Sequence, residues 1–426
     1  MSVRFVSTRS KSNGITFGDA LLNGIAPDGG LYVPEQIPEV GPAWREMSSF
    51  SGVASHVLKS WLSPEFADDE VDEITTKAFN FPVPVRRLAG GEWDDVMVVE
   101  LFHGPTLSFK DFGARCMAGL MARELGPGKE KTILVATSGD TGSAVADGFS
   151  GFDSIRVVLL YPLGQVSPTQ ERQLIVSRPG VTTFAVDGTF DDCQRMVKEA
   201  FAQPLDHHEL TSANSISVGR LLPQMTYYFW AARLFEAGKF ACCIPSGNLG
   251  NLTAGVMSHL SGLGPTRYLA AHNSNDFFPR FLDTGDETYG PSIRTISNAM
   301  DVGVPSNFER IRFLLAEDRM RELVWGTSID DAVTSETMTR VYEATGYVSD
   351  PHTAVGFEAV ARYRRETGDG RPIAIMGTAH PAKFPEAVSD ALGFEPDTPS
   401  RLSEYWNRDT RSVIISPNVS ELLAAL

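Results

Sequence analysis

The chain has 426 residues, of which 42% are hydrophobic and 21% charged, and its formal net charge is −16. This length favours two or three domains with a sizeable core, and the composition is ordinary for a globular enzyme. The acidic balance, with no basic stripe to offset it, excludes nucleic acid as an expected partner. No apolar run approaches the length of a membrane span, so we expect no membrane association.

The cysteine pattern indicates the redox compartment. The chain has four cysteines without C-x-x-C spacing, namely Cys116, Cys193, Cys242 and Cys243. Reduced thiols fit this pattern better than a disulfide framework, so we expect a cytoplasmic protein. The first ten residues are basic and contain serines, a composition that transit peptides share.

The predicted elements change in character along the chain. Residues 1–95 mix turns with short helical patterns and are expected to form an N-terminal segment packed on the body. From residue 96 strands alternate with helices, which implies a parallel sheet and a small α/β domain over 96–212. Its predicted strands are Val96–Leu101, Thr132–Thr137, Ile155–Tyr161 and Val181–Val186. Its helices are predicted around the apolar face Phe112–Leu125, after the cap Ser167-Pro168, and over Asp191–Ala202.

Residues 213–426 are expected to form a larger α/β domain with a second sheet. Its predicted strands are Phe240–Pro245, Arg267–His272 and Pro372–Met376. The boundary, placed near 205–215, rests on the polar stretch Asp206–Glu209. The pair His207-His208 in that stretch is more typical of a solvated helix end than of a metal ligand set, so no metal site is predicted.

Lys110 is the strongest candidate for a reactive side chain. It lies between Phe109 and Phe112, just before an amphipathic stretch. Burial disfavours the ammonium form and lowers the pKa of the amine, so that a free amine can attack an aldehyde. These surroundings are typical of a lysine that forms a Schiff base, although a surface lysine can also be flanked by aromatic residues.

A glycine loop is the second feature, after Lys110, that points to the chemistry of the site. The segment Ser246–Asn251 follows the apolar run Phe240–Pro245, so a strand leads through a glycine loop into a helix. This layout holds phosphate groups on backbone N–H groups. A phosphate cup together with an imine-forming lysine indicates pyridoxal 5'-phosphate as the cofactor, which neither feature would indicate alone.

Two further segments are candidates for binding anions. The loop Thr137–Gly142 presents backbone N–H groups at a helix N-terminus, which suits a carboxylate or a phosphate, although a plain turn and cap has the same pattern. Arg220 lies near the start of a helical pattern, where a guanidinium can bind a phosphate with two hydrogen bonds. An isolated arginine is more often a surface residue.

The order of these segments resembles the longer microbial branch of the threonine synthase family. The matching segments are residues 101–115, Ala136–Gly142, Asn214-Ser215-Ile216, Gly247–Asn251 and Gly377–Phe384. The resemblance starts near Thr8, which argues against a transit peptide, and extends to about residue 390. It implies the fold type II architecture of pyridoxal-phosphate-dependent enzymes, with two parallel-sheet α/β domains and the cofactor held by the larger one.

The resemblance also implies roles for particular residues. Lys110 would form the internal aldimine and then act as the shuttling base. The cofactor phosphate would be bound by Gly247, Asn248, Leu249, Gly250 and Asn251, and the pyridine nitrogen by Thr378. The substrate would be bound by Thr137, Ser138, Gly139, Asp140, Thr141, Asn214, Ser215 and Arg220. Asp140 occupies a position where shorter relatives carry Asn. Ser217 departs from the family pattern, since relatives commonly carry Asn there.

Some neighbouring residues receive no assigned role. His380 and Lys383 are close to Thr378 in the sequence, but we do not expect them to touch a ligand. The segment Asp350–Thr353 matches a family segment, and a helix start capped by Asp350 explains it equally well.

The implied activity is the conversion of O-phospho-L-homoserine and water to L-threonine and phosphate, by γ-elimination and β-hydration. Three alternatives remain open at this point: a phospho-lyase that releases 2-oxobutyrate, a dehydratase of serine or threonine, and a cofactor-binding protein without turnover. A monomer and a homodimer are equally compatible with the sequence.

Overall fold

The computed structural model describes residues 2–10, 13–203, 210–264 and 267–425. Its strands are β1 (Phe5–Ser7), β2 (Tyr32–Pro34), β3 (Val85–Arg87), β4 (Val96–Glu100), β5 (Lys131–Ala136), β6 (Ile155–Pro162), β7 (Val181–Val186), β8 (Leu210–Thr211), β9 (Ala241–Pro245), β10 (Arg267–His272), β11 (Val324–Ser328), β12 (Ile373–Gly377) and β13 (Val413–Ile415). Its α-helices are α1 (Phe17–Asn23), α2 (Phe50–Leu62), α3 (Asp68–Ala78), α4 (Lys110–Leu125), α5 (Asp140–Phe149), α6 (Pro168–Ile175), α7 (Phe190–Phe201), α8 (Val218–Ala232), α9 (Gly250–Leu260), α10 (Phe277–Thr284), α11 (Phe308–Leu314), α12 (Glu317–Leu323), α13 (Asp331–Thr345), α14 (Pro351–Thr367), α15 (Pro385–Leu392), α16 (Ser400–Trp406) and α17 (Val419–Ala425).

The largest sheet has six strands in the order β11-β10-β9-β12-β4-β3. All neighbours run parallel except β3, which is antiparallel to β4. Strand β9 is buried along its whole length, as expected for a parallel strand covered on both faces. This sheet contains all three strands predicted for the larger domain.

A second sheet has five parallel strands in the order β13-β7-β6-β5-β8. Helix α6 starts as predicted: the Ser167 hydroxyl accepts a hydrogen bond from the Gln170 N–H, and Pro168 takes the first helical position. The predicted strands and the helix after β7 lie within one residue of the observed bounds. The predicted alternation of strands and helices is confirmed.

The sheets divide the chain differently from the predicted domain ranges at three strands, of which β3, from the N-terminal segment, joins the six-stranded sheet. Strand β4 was expected in the smaller domain, but it pairs with β12 in the six-stranded sheet, with Val96 opposite Ile373. Strand β13, from the C-terminal part of the chain, pairs with β7 in the five-stranded sheet. Periodicity marks a strand but contains no information on its partner, which only tertiary packing selects. The predicted boundary stretch Asp206–Glu209, with its histidine pair, lies outside the described residues.

The N-terminal segment packs on helix α8, which also contacts the site. The Trp44 and Phe229 rings lie 5.2 Å apart, and the Phe50 and Trp230 rings 5.8 Å apart, both edge to face. Phe112 of α4, which is fully buried, continues this aromatic cluster into the core. Over the described ranges no helix is long and apolar enough to cross a membrane.

Candidate active site

A cavity of about 640 Å³ lies where the carboxyl ends of β5, β9 and β12 meet the start of α4. Ligands of parallel α/β proteins bind at this edge of the sheet. Every predicted site residue except Gly139 lines the cavity, namely Lys110, Thr137, Ser138, Asp140, Thr141, Asn214, Ser215, Arg220, Gly247, Asn248, Leu249, Gly250, Asn251 and Thr378. The structure therefore brings together residues that are up to 268 positions apart (378 − 110).

Lys110 is the first residue of α4, and its side chain is 15% exposed. Its Nζ lies 4.0 Å from Asp140 Oδ2. Burial lowers the pKa of Lys110 to about 8; Asp140 opposes this shift, whereas the cations Lys383 and Arg220 add to it. Part of the amine is therefore unprotonated near neutral pH, as attack on a carbonyl carbon requires.

The loop after β5 is shaped by Thr137. Its Oγ1 accepts hydrogen bonds from the N–H groups of Gly139 (3.1 Å) and Gly142 (2.9 Å), so the hydroxyl orders the turn into α5. Gly139 has a φ of +138°, and a Cβ there would meet the Gln170 side chain at 2.7 Å. Gly139 thus makes the turn possible but does not itself line the cavity, unlike Ser138, Asp140 and Thr141.

The glycine loop after β9 leads into helix α9. Gly247 lies so close to the backbone of Met300 that a Cβ would be 2.7 Å from its Cα. Leu249 has a φ of +60°, a left-handed conformation that turns the chain into the helix. The first two residues of this eleven-residue helix line the cavity, and the N–H groups of a helix N-terminus can bind an anion.

Asn248 and Asn251 are held by neighbouring polar groups. Asn248 Nδ2 donates to Ser215 Oγ at 2.6 Å, which joins the glycine loop to the segment before α8. Asn251 Oδ1 accepts hydrogen bonds from the hydroxyls of Tyr227 and Tyr228. Asn251 Nδ2, although buried, has no hydrogen-bond partner within the described part of the chain. A buried donor of this kind is satisfied when a ligand with acceptor oxygens is bound.

Arg220 is buried rather than on the surface, with 3% exposure. Its Nη1 donates to the carbonyl of Ala213 at 2.6 Å and its Nη2 to the carbonyl of Lys110 at 3.5 Å. Burial lowers the pKa of Arg220 to about 10, with partial compensation by Asp111. The guanidinium remains charged at neutral pH and lines the cavity beside Asn214 and Ser215.

Thr378 follows β12 and is tied to the segment that carries Lys110. Its carbonyl accepts a hydrogen bond from the Phe109 N–H at 2.9 Å, and Ser108 forms an antiparallel bridge with Ala379. The end of β12 therefore fixes the start of α4, and with it the position of Lys110.

Two residues without an assigned role belong to this region. His352 lines the cavity: its Nδ1 lies 2.8 Å from Asp350 Oδ1, and its Nε2 accepts from the Ala299 N–H. Asp350 also caps α14, so the predicted cap is confirmed. Lys383 is fully buried and pairs with Asp140 at 2.7 Å. Both lie within segments that match the family in sequence, but only the tertiary structure reveals their contacts.

His380 lies in a different environment. It lines a neighbouring cavity of about 500 Å³ with Glu100 and His103 and is absent from the lining of the larger one. Burial lowers the pKa of His380 to about 4.

Imine chemistry at a buried lysine and a separate phosphate cup are what enzymes that use pyridoxal phosphate require. Comparison places the chain in this class, because residues 79–378 match the family described as pyridoxal-phosphate dependent enzyme. The flanking residues are more specific. Residues 4–79 match the family described as threonine synthase N terminus, and residues 353–425 match threonine synthase, C-terminal.

Whole-chain relatives agree with these matches. A threonine synthase of Serratia marcescens is 38% identical over 415 residues, which cover 94% of each chain. The crystal structure of threonine synthase from Escherichia coli superposes with a TM-score of 0.89 at 36% identity and covers 99% of both chains. The PLP-bound threonine synthase from Brucella melitensis superposes with a TM-score of 0.93 at 32% identity, covering 100% of this chain and 98% of that one. The chain belongs to the threonine synthase family, and its architecture is fold type II.

The residues present fit pyridoxal phosphate. The reactive lysine is partly deprotonated, the Met300 backbone leaves no room for a Cβ at Gly247 in the loop, and the buried Asn251 amide still has a free donor. Lys110 would hold the aldehyde carbon, residues 247–251 the phosphate, and Thr378 the ring nitrogen.

Proposed function

We propose that the chain is a threonine synthase that converts O-phospho-L-homoserine and water to L-threonine and phosphate. The observation that carries this proposal is that one cavity is lined by the low-pKa Lys110, by the 247–251 loop and by a separate buried cation, Arg220. A single phosphate cup would serve the cofactor alone. The second anion site gives the substrate's phosphate a place of its own.

When bound, pyridoxal phosphate supplies the electron sink that stabilises negative charge on the carbon atoms of the amino acid. Lys110 is the base of the site, because its amine is free to accept the proton of the substrate's α-carbon and later to return it. Asp140, 4.0 Å away, orients this amine and stabilises it when it carries the proton.

The second anion site binds the phosphate group that leaves the substrate. Arg220 offers a charged, nearly dehydrated guanidinium, and the N-terminal N–H groups of α5 lie on the same cavity wall. Asn214, Ser215 and the Thr137–Thr141 loop complete the set of donors. Both anion sites lie in one cavity with Lys110, so the α-carbon proton and the γ-phosphate of a single substrate can be handled together.

The test is a product assay on purified, cofactor-loaded protein given O-phospho-L-homoserine, with phosphate, threonine and 2-oxobutyrate followed together. Equal release of phosphate and threonine is expected. Phosphate with 2-oxobutyrate would assign the chain to the phospho-lyases instead. No phosphate, with turnover of serine or threonine, would mean a dehydratase, and binding of the cofactor without any turnover would refute an enzymatic role.

The charge of Arg220 gives a sharper prediction. Loss of a charge-assisted hydrogen bond costs about 1.5–3 kcal/mol, so Arg220→Ala should raise KM for O-phospho-L-homoserine roughly 10- to 150-fold. Arg233→Ala is the matched control, since Arg233 ends the same helix, stacks on Trp230 and is not part of the cavity lining. An unchanged KM in Arg220→Ala would contradict the phosphate role.

We also propose a cytoplasmic location and no nucleic-acid partner. All four cysteines are buried and free of disulfides, which suits a reducing compartment. The net charge of −16 would repel a polyanion. Cell fractionation with an antibody against the chain tests the location.

A further inference from the structure

Lys383 is a buried lysine without a part in the proposed chemistry. It ends the short 3-10 helix Pro381–Lys383 after β12, and its side chain is 0% exposed. Its Nζ donates to Asp140 Oδ1 at 2.7 Å and to the Thr106 carbonyl at 2.9 Å. A buried ammonium group destabilises a fold unless its charge is paired, and here the paired charge is Asp140, while Asp111 and His380 also interact with the charge of Lys383.

The two oxygens of Asp140 have different neighbours. Oδ1 accepts from Lys383 and, at 3.3 Å, from Gln170 Nε2. Oδ2 faces Lys110 Nζ at 4.0 Å. Lys383 and Gln170 thus fix the carboxylate group, and the orientation that they impose directs its second oxygen at the reactive amine.

Two lysines therefore share one carboxylate. Burial by itself would raise the pKa of Asp140, but the positive charges of Lys383 and then Lys110, with a smaller contribution from His352, keep that pKa well below its usual range. Lys110 also faces Arg220 and is repelled by it and by Lys383. If Asp140 faced Lys110 alone, its full negative charge would favour the ammonium form of Lys110.

We infer that Lys383 is a positioning residue, which holds the Asp140 carboxylate in place and offsets its charge, so that Asp140 orients Lys110 without keeping it as an ammonium ion. This inference rests on the proposed role of Lys110 as the reactive amine. It assigns opposite effects to two neighbouring groups: Asp140 favours the protonated amine, and Lys383 favours the free amine.

The test measures the protonation of Lys110 directly in the cofactor-free protein. The rate at which a small acylating reagent modifies Lys110, measured by peptide mass spectrometry across pH 6 to 11, gives the pKa of the amine. Lys383→Met should raise this pKa by about one unit, a tenfold smaller fraction of free amine at neutral pH, whereas Asp140→Asn should lower it. Lys383→Arg, which keeps the charge, should shift the pKa less than Lys383→Met does.

Lys198→Met is the matched control. Lys198 lines the same cavity but is exposed to solvent, so loss of its charge should leave the pKa of Lys110 unchanged. If Lys383→Met does not fold because Asp140 loses its partner, the double variant Lys383→Met/Asp140→Asn removes both members of that buried ion pair. Its Lys110 pKa should then lie above that of Asp140→Asn alone.

A second measurement uses the cofactor-loaded protein. The pH at which the change in its visible absorbance is half complete should be higher in Lys383→Met and lower in Asp140→Asn than in the wild type. Equal shifts of the same sign in both variants, or no shift in either, would overturn the inference, because a purely structural role predicts no opposition of sign. Borohydride trapping of the cofactor on a residue other than Lys110 would instead overturn the proposed function, while the acylation result on charge would still stand.

Discussion

Gly247 offers a direct test of how tightly the glycine loop is packed. In Gly247→Ala the added Cβ would lie 2.7 Å from Met300 Cα and 3.0 Å from its carbonyl oxygen, both backbone atoms. Backbone cannot rotate away as a side chain can, so either the loop or the Met300 segment must move. Overpacking of this kind costs about 1–3 kcal/mol. Binding of the cofactor phosphate would require the loop in its original position and would restore this overlap, so the dissociation constant of pyridoxal phosphate should rise roughly 5- to 150-fold.

Gly250→Ala is the matched control in the same loop. A Cβ there would meet Ser215 Cβ at 3.4 Å, an ordinary van der Waals contact, and Gly250 already begins helix α9. Titration of the cofactor-free variants with pyridoxal phosphate, followed by absorbance, gives both dissociation constants. Wild-type affinity in Gly247→Ala, or an equal loss in Gly250→Ala, would refute the steric reasoning.

Two predictions concern stability, measured by urea unfolding. Phe112→Ala empties the centre of a buried aromatic cluster and should lower the free energy of unfolding by about 3–5 kcal/mol. Phe394→Ala, at a side chain that is 38% exposed, should lower it far less. Equal decreases would contradict the packing argument. Burial lowers the pKa of His272 to about 4. As the pH falls from 6.5 towards 4, His272 therefore binds a proton in the unfolded chain before it does so in the folded one. The free energy of unfolding decreases over that pH range. His272→Gln should reduce this decrease in the free energy of unfolding by about 3 kcal/mol. The same pH dependence in the variant and the wild type would contradict the prediction.

Local signals in the sequence were sufficient for the class of fold, and they pointed to Lys110 and the 247–251 loop, which the structure places in the lining of one cavity. The alternation of apolar strands with helices places β7 and β10 at their observed bounds, because burial on both faces of a parallel sheet imposes continuous apolar runs. The Lys110 segment and the 247–251 loop were found for a similar reason. A reactive lysine and a phosphate cup depend on residues that are close together in the chain.

The remaining features depend on residues that are distant in sequence, and only tertiary structure decided them. Strand β4 has the same apolar composition whichever sheet receives it, so its pairing with β12 follows from global packing. Arg220 and Lys383 resemble surface cations in sequence, yet they are 3% and 0% exposed. The physical reason is that burial and charge pairing are properties of what surrounds a side chain. Lys383 pairs with Asp140, which faces Lys110, and no spacing along the chain predicts that the three would meet.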